Sequence, residues 1–397
     1  MKYEIEYSIS HMRGRNAALM DSMFSNVFFF FFVAQIFSPY IGGVTLYIEP
    51  VVALMNPRFI KWIISGRVPI RPLSVGVLLF GLSAILDMGL IPKIASGVIS
   101  IMYLCYSYES KTFYLIRYVI LSTIFALLQF IFLYINPSIS MLIGPQALSE
   151  LVWGQYATPS FSNFYSILGI TRVSGLSRES GFFASLIVST AALILVDSSL
   201  KIGKTKKSIL AVGWLISLSK MSLLGIIIYF AVKARRVIDV VPYFLILFLF
   251  IISGYLIAPS FRSFFLDEAN ETFMHRFSGF LMLRDLNELQ LFWGESNLMK
   301  VKGALAVTAS AKFTALAGLG GFIVHYGIIF LFVFFAFIRS FGVKASGLIV
   351  ILLCTMNVDP VTNQNFVTLG YFVAIYFMGA KNFSDRIPKM TDSAAIS

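Results

Sequence analysis

Val27–Ile36 reads VFFFFFVAQI and Tyr243–Ile252 reads YFLILFLFII, and these two runs decide the fold. Neither alternates polar with apolar residues, as a strand of a membrane barrel would. A continuous apolar run in lipid must satisfy its own backbone N–H and C=O groups, and a helix does that within one segment. Outward from these runs, similar stretches give approximate spans at 23–40, 41–56, 72–90, 91–107, 114–135, 181–196, 208–232, 240–258, 316–338, 345–357 and 366–380. Several are shorter than the ~20 residues a perpendicular helix needs, so their ends extend into the flanks. Composition agrees, with 58% hydrophobic and 13% charged residues among 397 and a mean hydropathy of +0.84. Soluble domains carry about a quarter charged residues. The expected fold is therefore all-α: a polytopic integral membrane protein of about 11–12 transmembrane helices, forming a single membrane domain over 1–397.

A formal charge of +12 does not require a nucleic-acid partner. In a membrane protein, bases gather in cytoplasmic loops and set the orientation. The 208–232 run has Lys201, Lys204, Lys206 and Lys207 before it and Lys233, Arg235 and Arg236 after it. Both flanks then belong inside, which one crossing cannot achieve, so the run reads as a hairpin turning near Ser217–Ser222 (SLSKMS). With the N-terminus also inside, the inward segments hold 21 of the 31 basic residues, and both termini are cytoplasmic. Met1–Ser22 is polar and mixed in charge, unlike a cleavable signal peptide. Cys105 and Cys354 lie in apolar runs and read as buried thiols rather than a disulfide.

Two outward segments remain, 136–180 and 259–315, and most of the other ten bases fall in them. The first ends in Thr171–Ser185, TRVSGLSRESGFFAS, which carries Arg172, Gly175, Arg178 and Glu179 into an apolar helix. Two arginines and a carboxylate at the start of a membrane helix are costly unless they face a wet cavity or one another. Arginine forks and a helix N-terminus suit phosphate or pyrophosphate oxygens. Gripping lipid headgroups at the interface is the equal alternative. The second segment holds Thr272–Gly279, TFMHRFSG, with the one outward histidine, His275, beside Arg276. Such a pair can bind a leaving pyrophosphate and exchange a proton near neutral pH, or be an ordinary exposed pair. His325 reads as a helix-packing residue. Glu49 and Asp87, inside expected spans, read equally as functional carboxylates and as capped or snorkelling ones.

Absences narrow the chemistry. There is no P-loop, no HExxH, no CxxC and no acidic pair opening the first outward segment, and three scattered histidines do not suggest zinc. No metal or other cofactor is expected, so energy must come from an activated substrate.

Three stretches together resemble the Wzy-type polymerases of bacterial O-antigen and exopolysaccharide, within the O-antigen polymerase and ligase superfamily. Arg172-x-x-Gly175-x-x-x-Glu179-x-x-x-Phe183-Ala184 is similar to that family's Arg–Gly–Glu signature at the start of a mid-chain helix. Ser217–Leu224 (SLSKMSLL) is similar to its broken hairpin, and Met274–Phe277 (MHRF) to its arginine-bearing outward loop. The likeness in length and span count covers nearly the whole chain. Ser180 departs from the pattern, where a proline often follows the glutamate.

The resemblance implies a GT-C-like fold with a large periplasmic loop between late helices, in the bacterial inner membrane. It also implies metal-independent glycosyl transfer, in which a growing glycan leaves undecaprenyl pyrophosphate for the non-reducing end of a lipid-linked repeat unit. Under it, Glu179 or His275 is the base, and Arg172, Arg178 and Arg276 receive the pyrophosphate, with Arg284 and Lys220 as further cations. Expected partners are lipid-linked glycans, the bilayer and a separate chain-length regulator. The rivals are an O-antigen ligase, which expects a second functional histidine in the large loop, and a non-catalytic lipid-linked oligosaccharide flippase.

Overall fold

The computed structural model describes residues 2–159 apart from 43, 68 and 69, most of 166–219, parts of 279–301, and 318–379 apart from 356, 357 and 359. Its elements are α1 (Lys2–Val33), the hairpin of β1 (Tyr40–Ile41) and β2 (Val44–Thr45), α2 (Ile48–Met55), α3 (Pro57–Trp62), α4 (Ile70–Leu86), α5 (Leu90–Glu109) and α6 (Leu115–Ile135). There follow α7 (Pro137–Leu142), α8 (Pro145–Trp153), the hairpin of β3 (Ser166–Ile167) and β4 (Ile170–Thr171), α9 (Ser180–Val196) and α10 (Lys204–Ile216). Last come α11 (Glu288–Trp293), α12 (Gly318–Ser340), α13 (Ala345–Thr355) and α14 (Asn365–Phe372). Three of these, α5, α6 and α12, are long and apolar enough to cross a membrane. Ala18–Val33, Ser74–Leu86, Ser180–Val196 and Asn365–Phe377 are shorter apolar helices.

Helix α6 shows what solvent the chain is built for. Leu121, Ile124, Leu128, Ile131 and Ile135 form an outward stripe at helical spacing, all exposed, while Val119, Ser122, Thr123, Ala126 and Gln129 are buried on the other face. In water that arrangement is inverted, since exposed apolar stripes of this extent are rare on soluble proteins. The chain is a predominantly helical, membrane-associated protein.

One expected span is not a helix along its length. Over 41–56 the chain makes the β1–β2 hairpin, turns through Gly42 at φ +60°, and becomes helical only from Ile48. Asn56 then ends α2 and caps α3, its side chain accepting from Arg58 N and Phe59 N, with Pro57 supplying the fixed φ of a first turn. The expected hairpin at 208–232 is described in its first arm alone. Helix α10 stops at Ile216 and Leu218 follows at φ +44°. The spans at 240–258 and much of 220–278 lie outside the described residues.

The contacts gather into two compact units: 1–67 with 96–227 and 384–397, and 68–95 with 228–383. In the first, Phe28, Phe29 and Phe32 of α1 are fully buried, and Phe28 stacks against Tyr103 of α5 with ring centroids 4.2 Å apart. Gly213 of α10 lies against Thr123 of α6 and Ile187 of α9.

In the second unit, α12 breaks at Gly327, where φ is +80° and ψ 167°. That break leaves Val324 O free to accept from Glu295 N at 2.7 Å, just beyond α11. Gly294, at φ +82° and ψ 170°, passes against the backbone of His325 and Tyr326, and Gly327 against that of Phe292 and Trp293. Both glycines occupy a region of φ/ψ space open to glycine alone. Replacing Gly327 by Ala is expected to cost at least ~1–3 kcal/mol of stability. Gly97→Ala, whose added Cβ meets nothing within 4 Å inside α5, should be neutral or stabilising by up to about 1 kcal/mol. Thermal unfolding of the two purified variants in detergent tests the contrast.

Candidate functional site

The residues that the sequence singles out at 171–185 lie in the first unit, between β4 and α9. The loop leaves the short β3–β4 hairpin at Thr171 and turns at Gly175, whose φ is +58°. A Cβ there would lie 2.7 Å from Ser122 O and 2.8 Å from Ser122 Oγ, so the loop touches α6 more closely than any side chain allows. Two side chains of α6 hold it. Gln129 donates from Nε2 to Gly175 O at 3.0 Å and accepts from Gly175 N through Oε1 at 3.0 Å. Ser122 Oγ, two turns earlier, accepts from Leu176 N at 3.1 Å. Gln129 is itself tied to the segment that follows, donating to Ile143 O while its carbonyl accepts from Ser140 Oγ.

Beyond the turn, Ser177 N donates to Ser174 O at 3.0 Å and the chain enters α9. Glu179 is the residue before that helix, with extended backbone, and its carbonyl accepts from Phe183 N. Its side chain makes no capping bond to the first turn. Arg178 is buried, 8% exposed, and its guanidinium donates from Nη1 to Thr45 Oγ1 at 3.2 Å. That bond joins the loop to the β1–β2 hairpin. Arg172 and Glu179 are half-buried.

Thr45 lies four residues before Glu49, which is fully buried in the first turn of α2 and accepts from Gln35 Nε2 at 3.2 Å. The same neighbourhood is closed by α8. Trp153 Nε1 donates to Phe37 O at 2.8 Å, Thr158 Oγ1 donates to Ser38 O, and Thr158 N donates to Ser149 Oγ at 3.0 Å. Helix α8 and the residues just after it are thus folded over the end of α1.

The structure therefore brings Arg172, Arg178 and Glu179 into one short loop. Arg284 is described in the second unit, exposed, shortly before the Asn287–Gln290 capping box of α11. His275, Arg276 and Lys220 lie outside the described residues. Asp87 is a turn residue: its Oδ1 accepts from Gly89 N at 2.8 Å. Among the described residues no three His, Cys, Asp or Glu side chains are placed to share a metal ion. Sequence reasoning overlooked Gln129 and Ser122. An amide in the middle of an apolar span, seven residues from a serine, carries the same cost signal that marked Glu49 and Asp87. No protein-family model, curated protein or solved structure matches the chain.

Gln129→Met keeps the length of the side chain and removes both bonds to Gly175. It should lower stability by ~1–2 kcal/mol. It should also expose the loop, so that a cysteine introduced at Ser177, in a background lacking Cys105 and Cys354, reacts faster with a membrane-impermeant maleimide. Unchanged labelling would mean that the loop is held by something other than Gln129.

Proposed function

We propose that the chain is a lipid-linked glycan polymerase of the inner membrane, crossing it about 11–12 times with both ends cytoplasmic. The observation that carries this reading is Arg178. It is a buried cation held on Thr45, beside Glu179 and at the entrance to an apolar helix. An arginine fork matches the oxygens of phosphate and pyrophosphate, and the start of an apolar helix adds backbone donors for an anion. In the proposed reaction the anomeric carbon–oxygen bond to pyrophosphate breaks and the pyrophosphate leaves with the bonding electrons. The acceptor hydroxyl oxygen bonds to the anomeric carbon, and its proton passes to Glu179 or His275. Arg172, Arg178 and Arg276, with Arg284 and Lys220 as further cations, stabilise the departing charge, which is commonly the largest single catalytic contribution. No nucleotide and no metal takes part. A separate chain-length regulator is a candidate partner.

The test is the surface glycan ladder of a polymerase-deletion strain complemented with this chain. Wild type should restore long chains. Arg178→Ala and Arg172→Ala should leave single repeat units on the core at normal membrane levels of protein, and Arg178→Lys should restore little, since a point charge does not replace a fork. A normal ladder from Arg178→Ala would remove the assignment. Loss of all glycan from the core would point to ligase chemistry instead. Elongation of lipid-linked units by purified protein without an ion gradient would separate the polymerase from a flippase.

A further inference from the structure

At the opposite end of the first unit from the 172–179 loop, the exposed charges among the described residues have one sign. Arg58 and Lys61 on α3, Arg117 in the first turn of α6, and Lys204, Lys206 and Lys207 in the first turn of α10 are all exposed. Contacts within the unit place them at one end. Asp21 of α1 accepts from Asn56 before α3 and from Tyr106 near the end of α5, at 2.8 and 2.7 Å. Tyr114 OH, beside the start of α6, pairs with Ser22 at 2.9 Å. Tyr108 donates to Asp197, just after α9 and shortly before α10, at 2.6 Å.

The carboxylates described at this end face inward. Asp21 and Asp197 are buried, and Glu109 accepts from Trp62 Nε1 at 3.0 Å. Arg58 reaches Asp21 only at 3.9 Å, beyond hydrogen-bond distance, and its side chain remains 43% exposed. Its side chain is thus partly open to the surroundings. Immediately along each helix the exposed surface turns apolar. Ile64 follows Lys61, Leu121 and Ile124 follow Arg117, and Val212 and Leu215 follow Lys207. The bases thus form a band at the edge of an apolar belt.

We infer that this band is a binding surface for anionic phospholipid headgroups, with the phosphates seated between α3 and the first turn of α10 while the acyl chains lie on the apolar belt below. Two features favour a lipid over an acidic protein segment: the junction of the basic band with exposed apolar side chains, and its spread over three separate helices. Juxtamembrane bases each contribute to such binding additively. The inference rests on membrane association alone and stands independently of the glycosyl-transfer reading.

The full chain, reconstituted in nanodiscs of equal phosphatidylglycerol and phosphatidylcholine, supplies the test. The lipids that stay with the protein on gentle release into a mass spectrometer are counted. Wild type should retain phosphatidylglycerol preferentially. K204Q/K206Q/K207Q and R58Q/K61Q should each reduce the preference by about fivefold per charge removed. Arginine at the three lysine positions should preserve it. No preference in wild type, or full preference in both neutralised variants, would overturn the inference. So would displacement by inorganic phosphate but not by chloride at equal ionic strength, which would mark a site for free anions. If either variant fails to fold, the wild-type measurement still decides.

Discussion

A side-chain amide in hydrocarbon has no water to turn to, and in this chain the amide of Gln129 solves that by behaving as a peptide group. It donates to the carbonyl of Gly175 and accepts from the N–H of the same residue, as one strand does to another. The outer loop is thereby paired with a membrane helix as if with a strand. Ser122 extends the pairing to Leu176 two turns along. The consequence for the site is that the loop is held by its backbone. Arg178 adds a side-chain bond to Thr45, which joins the same loop to the β1–β2 hairpin.

Helix α6 carries two duties on opposite faces, and its sequence accommodates both because the polar positions share the buried stripe. Ser122 and Gln129 are seven residues apart, so they lie one above the other on the face that also buries Val119 and Ala126. The other face exposes the aliphatic stripe of Leu121, Ile124, Leu128, Ile131 and Ile135. Gly175 is the complementary requirement on the loop. A side chain there would strike Ser122, and the positive φ would strain it further. An amide, a hydroxyl and a missing side chain thus specify one docking geometry.

The long helices were legible in the sequence because the signal for a span is continuous apolarity, which hydropathy measures directly. Over 41–56 the same measure misleads. Averaging passes over Gly42, which turns the chain at φ +60°, and over Glu49, which is buried against Gln35 rather than placed in lipid. Asp21 fell in a stretch that reads as a polar terminus, since charge suggests water. Its partners Asn56 and Tyr106 lie 35 and 85 residues away, and no local pattern connects them. For the site, Arg172, Arg178 and Glu179 were legible because charges at the mouth of an apolar run are conspicuous. Thr45, Gln129 and Ser122 were not, because uncharged polar residues register weakly on a hydropathy scale although their burial costs are comparable in kind.

The two ends of the first unit each bury polar and ionisable side chains and satisfy them with partners distant in the sequence. Near the start of α6, the carboxylate of Asp21 is met by an amide and a phenol, and the network runs on through Tyr103 and Ser25 to Thr112. About 10 and 20 Å along the helix, Ser122 and Gln129 meet peptide groups, and Arg178 and Glu49 are the buried ionisable side chains near that loop. Phe28, Phe29, Phe32 and Tyr103 fill the space between with apolar contact. A buried carboxylate fully supplied with donors has little left to offer a ligand, and it serves to tie α1, α3 and α5 together. The guanidinium of Arg178 reaches Thr45 and ties the 172–179 loop to the β1–β2 hairpin, so each end uses its buried polar groups to join segments far apart in the sequence.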